Sequence, residues 1–406
     1  MARVTVLQND GTSFQEMLDF EGYRQHSKKT FMIPDATNKI TQIRDIMDAL
    51  REGKIPILFD GAMMSSKKKV DALLNENAVD LDLLEDAAAL FFTSGTSGNP
   101  IGVVKTGAHL ERETLTHKEW LKEERFEQCL VTVPFFHIYG FLFGLSLPVS
   151  LGLEIVTKED FLPNEIINLC ASKPTLCITN PVFIRAMLRL RDAIDLSTTL
   201  FISSSGPLEP HEAVLFEEKY STRLTQLYGS SETGGIAIRS GGSFVWNVLD
   251  GVEVFSDEGI LCVKSPFVSR AVYDENFAVI PSPFQTSDII EMEDNGFTIV
   301  GRASELVKIG GKRLSMIEIE TFLEKMDGIV EALGFVVYHP EQLRGESLTL
   351  YLVGDEDKIH KTILKKALHD HFGGIHIESK IVMVESIVKT AMGKKVRSSM
   401  VTQRLM

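Results

Sequence analysis

The chain has 406 residues, 44% of them hydrophobic and 24% charged, ordinary proportions for a soluble globular protein. That length exceeds what one core serves comfortably, so at least two domains are expected. A net charge of −14 argues against nonspecific binding to nucleic acid or to an anionic membrane, because both need basic surface.

Residues 1–86 read as mixed α/β structure. Residues 41–51 (TQIRDIMDALR) place Ile43, Ile46, Met47 and Leu50 at helical spacing, and residues 54–60 (KIPILFD) read as a short buried strand. The stretch 91–105, FFTSGTSGNPIGVVK, joins two apolar strand segments through a loop almost without bulky side chains. Thr93, Ser94, Gly95, Thr96, Ser97 and Gly98 supply four hydroxyls and two glycines. Glycine lets backbone N–H groups approach an anion, and short hydroxyls add donors, so the loop suits a phosphate cradle. A flexible surface turn has the same composition, and the P-loop pattern GxxxxGK[ST] is absent.

Residues 108–126 are rich in charge and helix formers and read as a solvated helix. Residues 129–153 contain no Asp, Glu, Lys or Arg and are long enough to cross a bilayer. Pro134, Pro148, His137 and three glycines interrupt that run, so strand, loop and buried helix are expected rather than a membrane span. His137 sits among aromatics, where a lone histidine is usually a core residue. Residues 174–188 read as strand, turn and helix, and 200–208 (LFISSSGPL) as strand into a turn holding Ser205 and Gly206.

In residues 224–238 (LTQLYGSSETGGIAI) a strand delivers Tyr228, Gly229, Ser231 and Glu232 into a turn. The aromatic can stack on a base, the hydroxyl can hold a phosphate oxygen, and the carboxylate suits Mg²⁺, a hard cation. Residues 259–272 alternate like strands, and Asp288 follows. Its two oxygens suit a vicinal diol, and a helix or turn cap is the alternative. A helix over 316–326, strands over 332–338 and 348–353, and a Lys-rich helix over 357–372 precede a basic stretch at 388–397. The cysteines (Cys129, Cys170, Cys177 and Cys262) show no CxxC pairing and fit reduced thiols. The opening MARVTVLQNDGTSF lacks a signal-peptide pattern, so a cytoplasmic protein is expected.

Five of these stretches, in order, resemble signatures of the adenylate-forming superfamily, which includes acyl- and aryl-CoA synthetases, peptide-synthetase adenylation domains and firefly-type luciferases. TSGTSGNPIGVV resembles its phosphate loop, with Ile101 in place of the usual lysine and Lys105 nearby as a candidate substitute. YGSSE resembles YGxTE, TSD resembles the ribose-binding TGD, GRASELVKIGGKRLSMIEIE resembles the hinge segment, and VKTAMGKKVR resembles PxTxxGKxxR. Two weaker similarities accompany them: VPFFHIYG resembles the PxFHxxG segment of CoA ligases, and SSGPL the turn against adenine.

The resemblance implies an α/β protein with a large N-terminal domain of mixed sheets and helices (1–303) and a smaller α+β domain (304–406). The two are joined by a hinge at Ser304. It implies ATP-dependent activation of an acid, aryl or fatty rather than amino, to an acyl-adenylate, then transfer to CoA or a carrier-protein phosphopantetheine. It places Thr93 to Gly98 on the β,γ-phosphates, and Ser205, Gly206, Tyr228, Gly229 and Ser231 about the nucleotide. Glu232 would bind Mg²⁺, and Asp288 and Arg302 the ribose. His137 would lie by the acyl group, Lys308 by the thiol tunnel, and Lys394 at the reacting carboxylate. The segment ahead of the phosphate loop is shorter than is common in that family. A catalytically impaired nucleotide-binding homologue is the alternative, and oxygen chemistry of the luciferase kind is a third.

Overall fold

The structure is a computed structural model. It describes residues 2–9, 12–18, 30–34, 38–61, 64–75, 83–93, 100–302, 306–309, 312–338, 346–356, 358–371, 379–389 and 395. Among these, nine strands form the largest sheet, whose core is parallel. Glu154–Lys158, Gln128–Val131, Thr175–Thr179, Thr199–Ser203 and Arg223–Ser230 lie side by side in parallel. Gly234–Ser240 and Asn247–Val248 extend one edge in antiparallel fashion. At the other edge Ala2–Leu7 pairs in parallel with Glu154–Lys158 and antiparallel with Ser13–Leu18.

The central strands are apolar on both faces because both are covered. Leu130, Cys177 and Phe201 point into one core, with helices Pro163–Ser172, Pro181–Leu188 and Pro210–Tyr220. Cys129, Val131, Leu176, Ile178, Leu200 and Ile202 alternate with them into a second, larger core. The helix Lys39–Glu52 packs there through Ile43, Ile46, Met47 and Leu50, the spacing read from the sequence. Asn38 caps its start and Gly53, at φ 66°, ends it.

A six-stranded sheet carries Ile55–Leu58, Ala87–Thr93, Ile101–Thr106 and Ala271–Asp274 in that spatial order, flanked by Phe31–Met32 and Asn276–Val279. A four-stranded antiparallel sheet holds Glu253–Asp257, Ile260–Lys264, Phe284–Glu293 and Gly296–Arg302.

Residues 129–153 do form strand, loop and helix. The helical run Ile138–Phe141, Leu142–Ser146, Leu147–Leu151 is π-helical in its middle five residues. No helix among the described residues is long and apolar enough to cross a membrane. One expectation fails. The helix expected over residues 108–126 is Gly107–Trp120, and it is not solvated throughout: Leu110, Glu113, Thr114 and His117 are buried on one face. Their spacing of three and four residues aligns them along the helix, whereas the charge density of the segment concealed that stripe.

Past residue 302, Leu306–Ile309 pairs with Lys312–Ser315. Helix Met316–Glu324, strands Ile329–Tyr338, Glu346–Gly354 and Ser379–Met383, and helix Lys361–His371 follow. Met316, Ile319, Leu323, Leu350, Leu364 and Ile381 belong to a hydrophobic cluster of their own.

Candidate active site

The phosphate-loop candidate joins two antiparallel strands, with Thr93 opposite Ile101. Ser94, Gly95, Thr96, Ser97 and Gly98 lie outside the described residues. Lys105 is wholly buried, and its amine donates to the Phe267 carbonyl at 2.5 Å. Burial lowers its pKa to about 8 against the opposing pull of Glu113 and Glu232. The amine therefore turns inward toward the carboxylate hairpin.

That hairpin is tightly specified. Arg223–Ser230 and Gly234–Ser240 pair with a register shift at Tyr228 and Gly229. The Ser230 N–H donates to Thr233 Oγ1 at 3.0 Å, and the Thr233 N–H returns to Ser230 Oγ at 3.2 Å. From a neighbouring loop, the Ser269 N–H donates to the Glu232 carbonyl at 2.7 Å and its hydroxyl to the Ser231 carbonyl at 3.0 Å. Glu232 is thus held by its backbone, and its half-buried carboxylate makes no hydrogen bond among the described residues. A Cβ at Gly229 would lie 2.2 Å from the Gly234 carbonyl oxygen. Gly229→Ala should consequently cost about 1–3 kcal/mol in urea unfolding, by forcing the two strands apart. An unchanged midpoint would contradict the close packing.

The Tyr228 hydroxyl donates to Asp288 Oδ2, and its ring lies 5.3 Å from Trp246 and 5.8 Å from Phe297. Asp288 lies within the strand Phe284–Glu293, opposite Arg302, so it is no helix cap. Its N–H donates to Thr286 Oγ1 at 3.0 Å. Ser204 Oγ donates to the Leu227 carbonyl at 2.9 Å, which pins the Ser205–Gly206 turn beside Tyr228. Ser205 takes a φ of 71°, in the left-handed region.

His137 precedes the π-containing helix at its N-cap position. The residue is half-buried, yet its Nε2 is sealed from solvent and makes no hydrogen bond among the described residues. Burial lowers its pKa to about 4, opposed by Asp60, a carboxylate distant in sequence but within electrostatic reach. His109 is likewise lowered to about 4, first by burial and then by Lys105. Its Nδ1 accepts from the Thr106 N–H at 3.3 Å in a capping box. Both histidines are easier to protonate when unfolded. The stability they contribute is therefore present above pH 6.5 and lost as the pH falls toward about 4. Urea midpoints should drop across that window, and His109→Asn should shallow the drop.

The backbone of Lys308 pairs with Arg313 in the hairpin beyond residue 302. Arg302 ends its strand. The side chains of both, together with Ser304 and Lys394, lie outside what is described. Next to Lys394, Lys395 donates to Glu324 at 2.5 Å and to the Ala332 carbonyl at 2.6 Å. The structure thus brings Tyr228, Asp288 and the Ser205–Gly206 turn together, with Lys105 within electrostatic reach of Glu232. The sequence missed Glu113, whose Oε1 accepts the Gly235 N–H at 2.6 Å. The spacing of Glu113 and His117, four residues apart on one helix, was its only signal.

An AMP-binding enzyme family model matches residues 22–271, so this chain belongs to that family. Among curated relatives, the long-chain-fatty-acid–CoA ligase of Bacillus subtilis (strain 168) is 26% identical over 307 residues, covering 67% of this chain and 54% of the relative. The probable 4-coumarate–CoA ligase 3 of Dictyostelium discoideum is 27% identical, covering 84% of this chain and 68% of its own length. The chain thus spans between about half and two thirds of the length of these two ligases. A Bacillus subtilis o-succinylbenzoate CoA synthetase structure with an acyl-adenylate shares the fold at TM-score 0.76 and 17% identity, over 93% of this chain and 88% of that one.

Proposed function

We propose that this protein is an AMP-forming acid–thiol ligase. An acid carboxylate attacks the α-phosphorus of ATP, pyrophosphate leaves, and a thiol then displaces AMP to give a thioester. The acid is aryl or fatty rather than amino, and the acceptor is CoA or the phosphopantetheine of a carrier protein. Family membership and CoA ligases among the relatives support this reading. The observation that carries it is the link from Tyr228 to Asp288, which joins the two nucleotide motifs across 60 residues.

Both reactants of the first step are anions, so positioning and charge neutralisation dominate. Thr93 to Gly98 take the leaving phosphates. Asp288, whose Oδ2 accepts from Tyr228, takes the ribose hydroxyls, and Arg302 stands opposite. Among the described residues no cluster of three metal-ligating side chains exists. A single carboxylate, Glu232, suits Mg²⁺, which keeps waters and binds substrate phosphates. Bound there, the ion offsets phosphate charge. Lys394 bridges carboxylate and α-phosphate, and His137 flanks the acyl group. Residues 304–406 act as a mobile unit about Ser304, exchanging Lys394 for Lys308 between steps. The separate core beyond residue 302 supports that division. The protein works in the cytoplasm.

Carboxylate-dependent ATP–pyrophosphate exchange, run over a panel of fatty, aryl and amino acids, tests the proposal. Exchange restricted to fatty or aryl acids is expected. ATP binding with no exchange for any acid would overturn the reading.

A further inference from the structure

Tyr228 is backed by side chains that neither the sequence motifs nor the adenylating chemistry described above accounts for. The guanidinium carbon of Arg239 lies 4.3 Å from the centre of the Trp246 ring, well inside cation–π range. The Trp246 ring in turn lies 5.3 Å from that of Tyr228, inclined by 46°. At the other end the Tyr228 hydroxyl donates to Asp288 Oδ2. A cation, two aromatic rings and a carboxylate thus form one series of contacts, from the strand Gly234–Ser240 to the strand Phe284–Glu293.

Each member is also fixed from the side. Arg239 stands opposite Gln226 in the strand pair, and its Nη2 donates to Gln226 Oε1 at 3.0 Å and to the Leu208 carbonyl at 2.7 Å. Leu208 follows the turn that holds Ser205 and Gly206, so the same guanidinium grips that turn. Its Nε is sealed from solvent and makes no hydrogen bond among the described residues. The π-face of Trp246 offsets that loss of water. Trp246 is 8% exposed and exchanges backbone hydrogen bonds with Phe297 at 2.8 and 3.2 Å. The Phe297 ring lies 5.8 Å from Tyr228. Two rings therefore hold Tyr228, yet Tyr228 is only half-buried, and Gly229, Ser205 and Gly206 are exposed. A planar ring arriving from solvent meets Tyr228 and the turn, with Trp246 behind them.

We propose that Arg239 and Trp246 are positioning residues for ATP: they hold the Tyr228 ring at the angle at which it stacks on adenine, while its hydroxyl keeps Asp288 turned to the ribose. Neither touches the nucleotide. Without the cation the indole loses its anchor, Tyr228 gains freedom, and ATP must order the ring as it binds. Acid binding and the chemical step do not draw on this series, so the effect falls on ATP alone. This inference rests on the ligase reading and adds to its nucleotide site two residues outside every motif of the sequence.

The test combines kinetics with tryptophan emission. Arg239→Met keeps an unbranched stem over Trp246 and removes only the charge and its donors. It should raise KM for ATP about fivefold or more, with KM for the acid and kcat within about twofold of wild type. The chain has two tryptophans, Trp120 and Trp246. ATP binding, followed independently by calorimetry, should change the emission of the wild-type protein, and Trp246→Phe should abolish that change. The wild-type measurement needs no variant to fold. An unchanged KM for ATP in Arg239→Met, an equal rise in KM for both substrates, or ATP binding that leaves wild-type emission unmoved would each overturn the positioning role while the ligase reading stands. If calorimetry detects no ATP binding to the wild-type protein, the ligase reading itself fails, and this inference falls with it.

Discussion

Lys394→Ala is expected to lower acid-dependent ATP–pyrophosphate exchange by about 10²–10³-fold, the usual cost of deleting one preorganised charge contact. The residue carries this expectation because it falls at the lysine of VKTAMGKKVR, where a mobile point charge can meet two anions at once. Its neighbour Lys395 cannot stand in, since it is committed to Glu324 and the Ala332 carbonyl. Thioester formation from preformed acyl-adenylate should survive in the same variant. That dissociation is the informative part, because general damage to the protein lowers both half-reactions together. Equal loss in both would remove Lys394 from the first step.

Glu232→Gln should also reduce exchange by about 10²–10³-fold, and it should raise the Mg²⁺ concentration needed for half-maximal rate. The amide keeps the size of the side chain and leaves the backbone bonds from Ser269 in place, so the hairpin persists. Only the charge is lost. Lys105 adds a second consequence: it is buried within reach of Glu232, and neutralising that carboxylate removes part of what keeps its amine charged. A Mg²⁺ titration of wild type and variant decides the matter. Superimposable half-saturation points would show that Glu232 does not govern the ion.

The sequence revealed the parts of this site that punctuate strands. Thr93 and Ile101 face each other because apolar β-branched and aromatic runs flank a Ser/Gly loop, which is a strong local signal. The Tyr228–Glu232 turn was legible for the same reason. Asp288 stands out in the sequence by its motif, but its partnership with Tyr228 does not, since a bond across 60 residues leaves no trace in local spacing. Glu113 and His117 were hidden for a different reason. Their helix reads HLERETLTHKEW, in which charge is so dense that polarity suggests water, although one face is sealed. Asp60 near His137 was likewise beyond any reading of neighbours in sequence.

The order of strands in the large sheet bears on how the chain folds as it is made. Ala2–Leu7 joins the sheet by pairing Val4 with Ile155 and Leu7 with Lys158, about 150 residues downstream. Its hairpin partner Ser13–Leu18 is synthesised at once, but a two-stranded ribbon alone is marginally stable, so this hairpin is secured only when Glu154–Lys158 arrives. Closing so long a loop is slow, and an unpaired edge is vulnerable meanwhile to pairing with another chain. The strands Thr175–Thr179 and Thr199–Ser203 can instead pair within a short stretch, through one intervening helix. Ala2–Leu7 is therefore secured only after Glu154–Lys158 is made, and slowing translation just before residue 154 should increase aggregation of the nascent protein, read as the fraction recovered soluble.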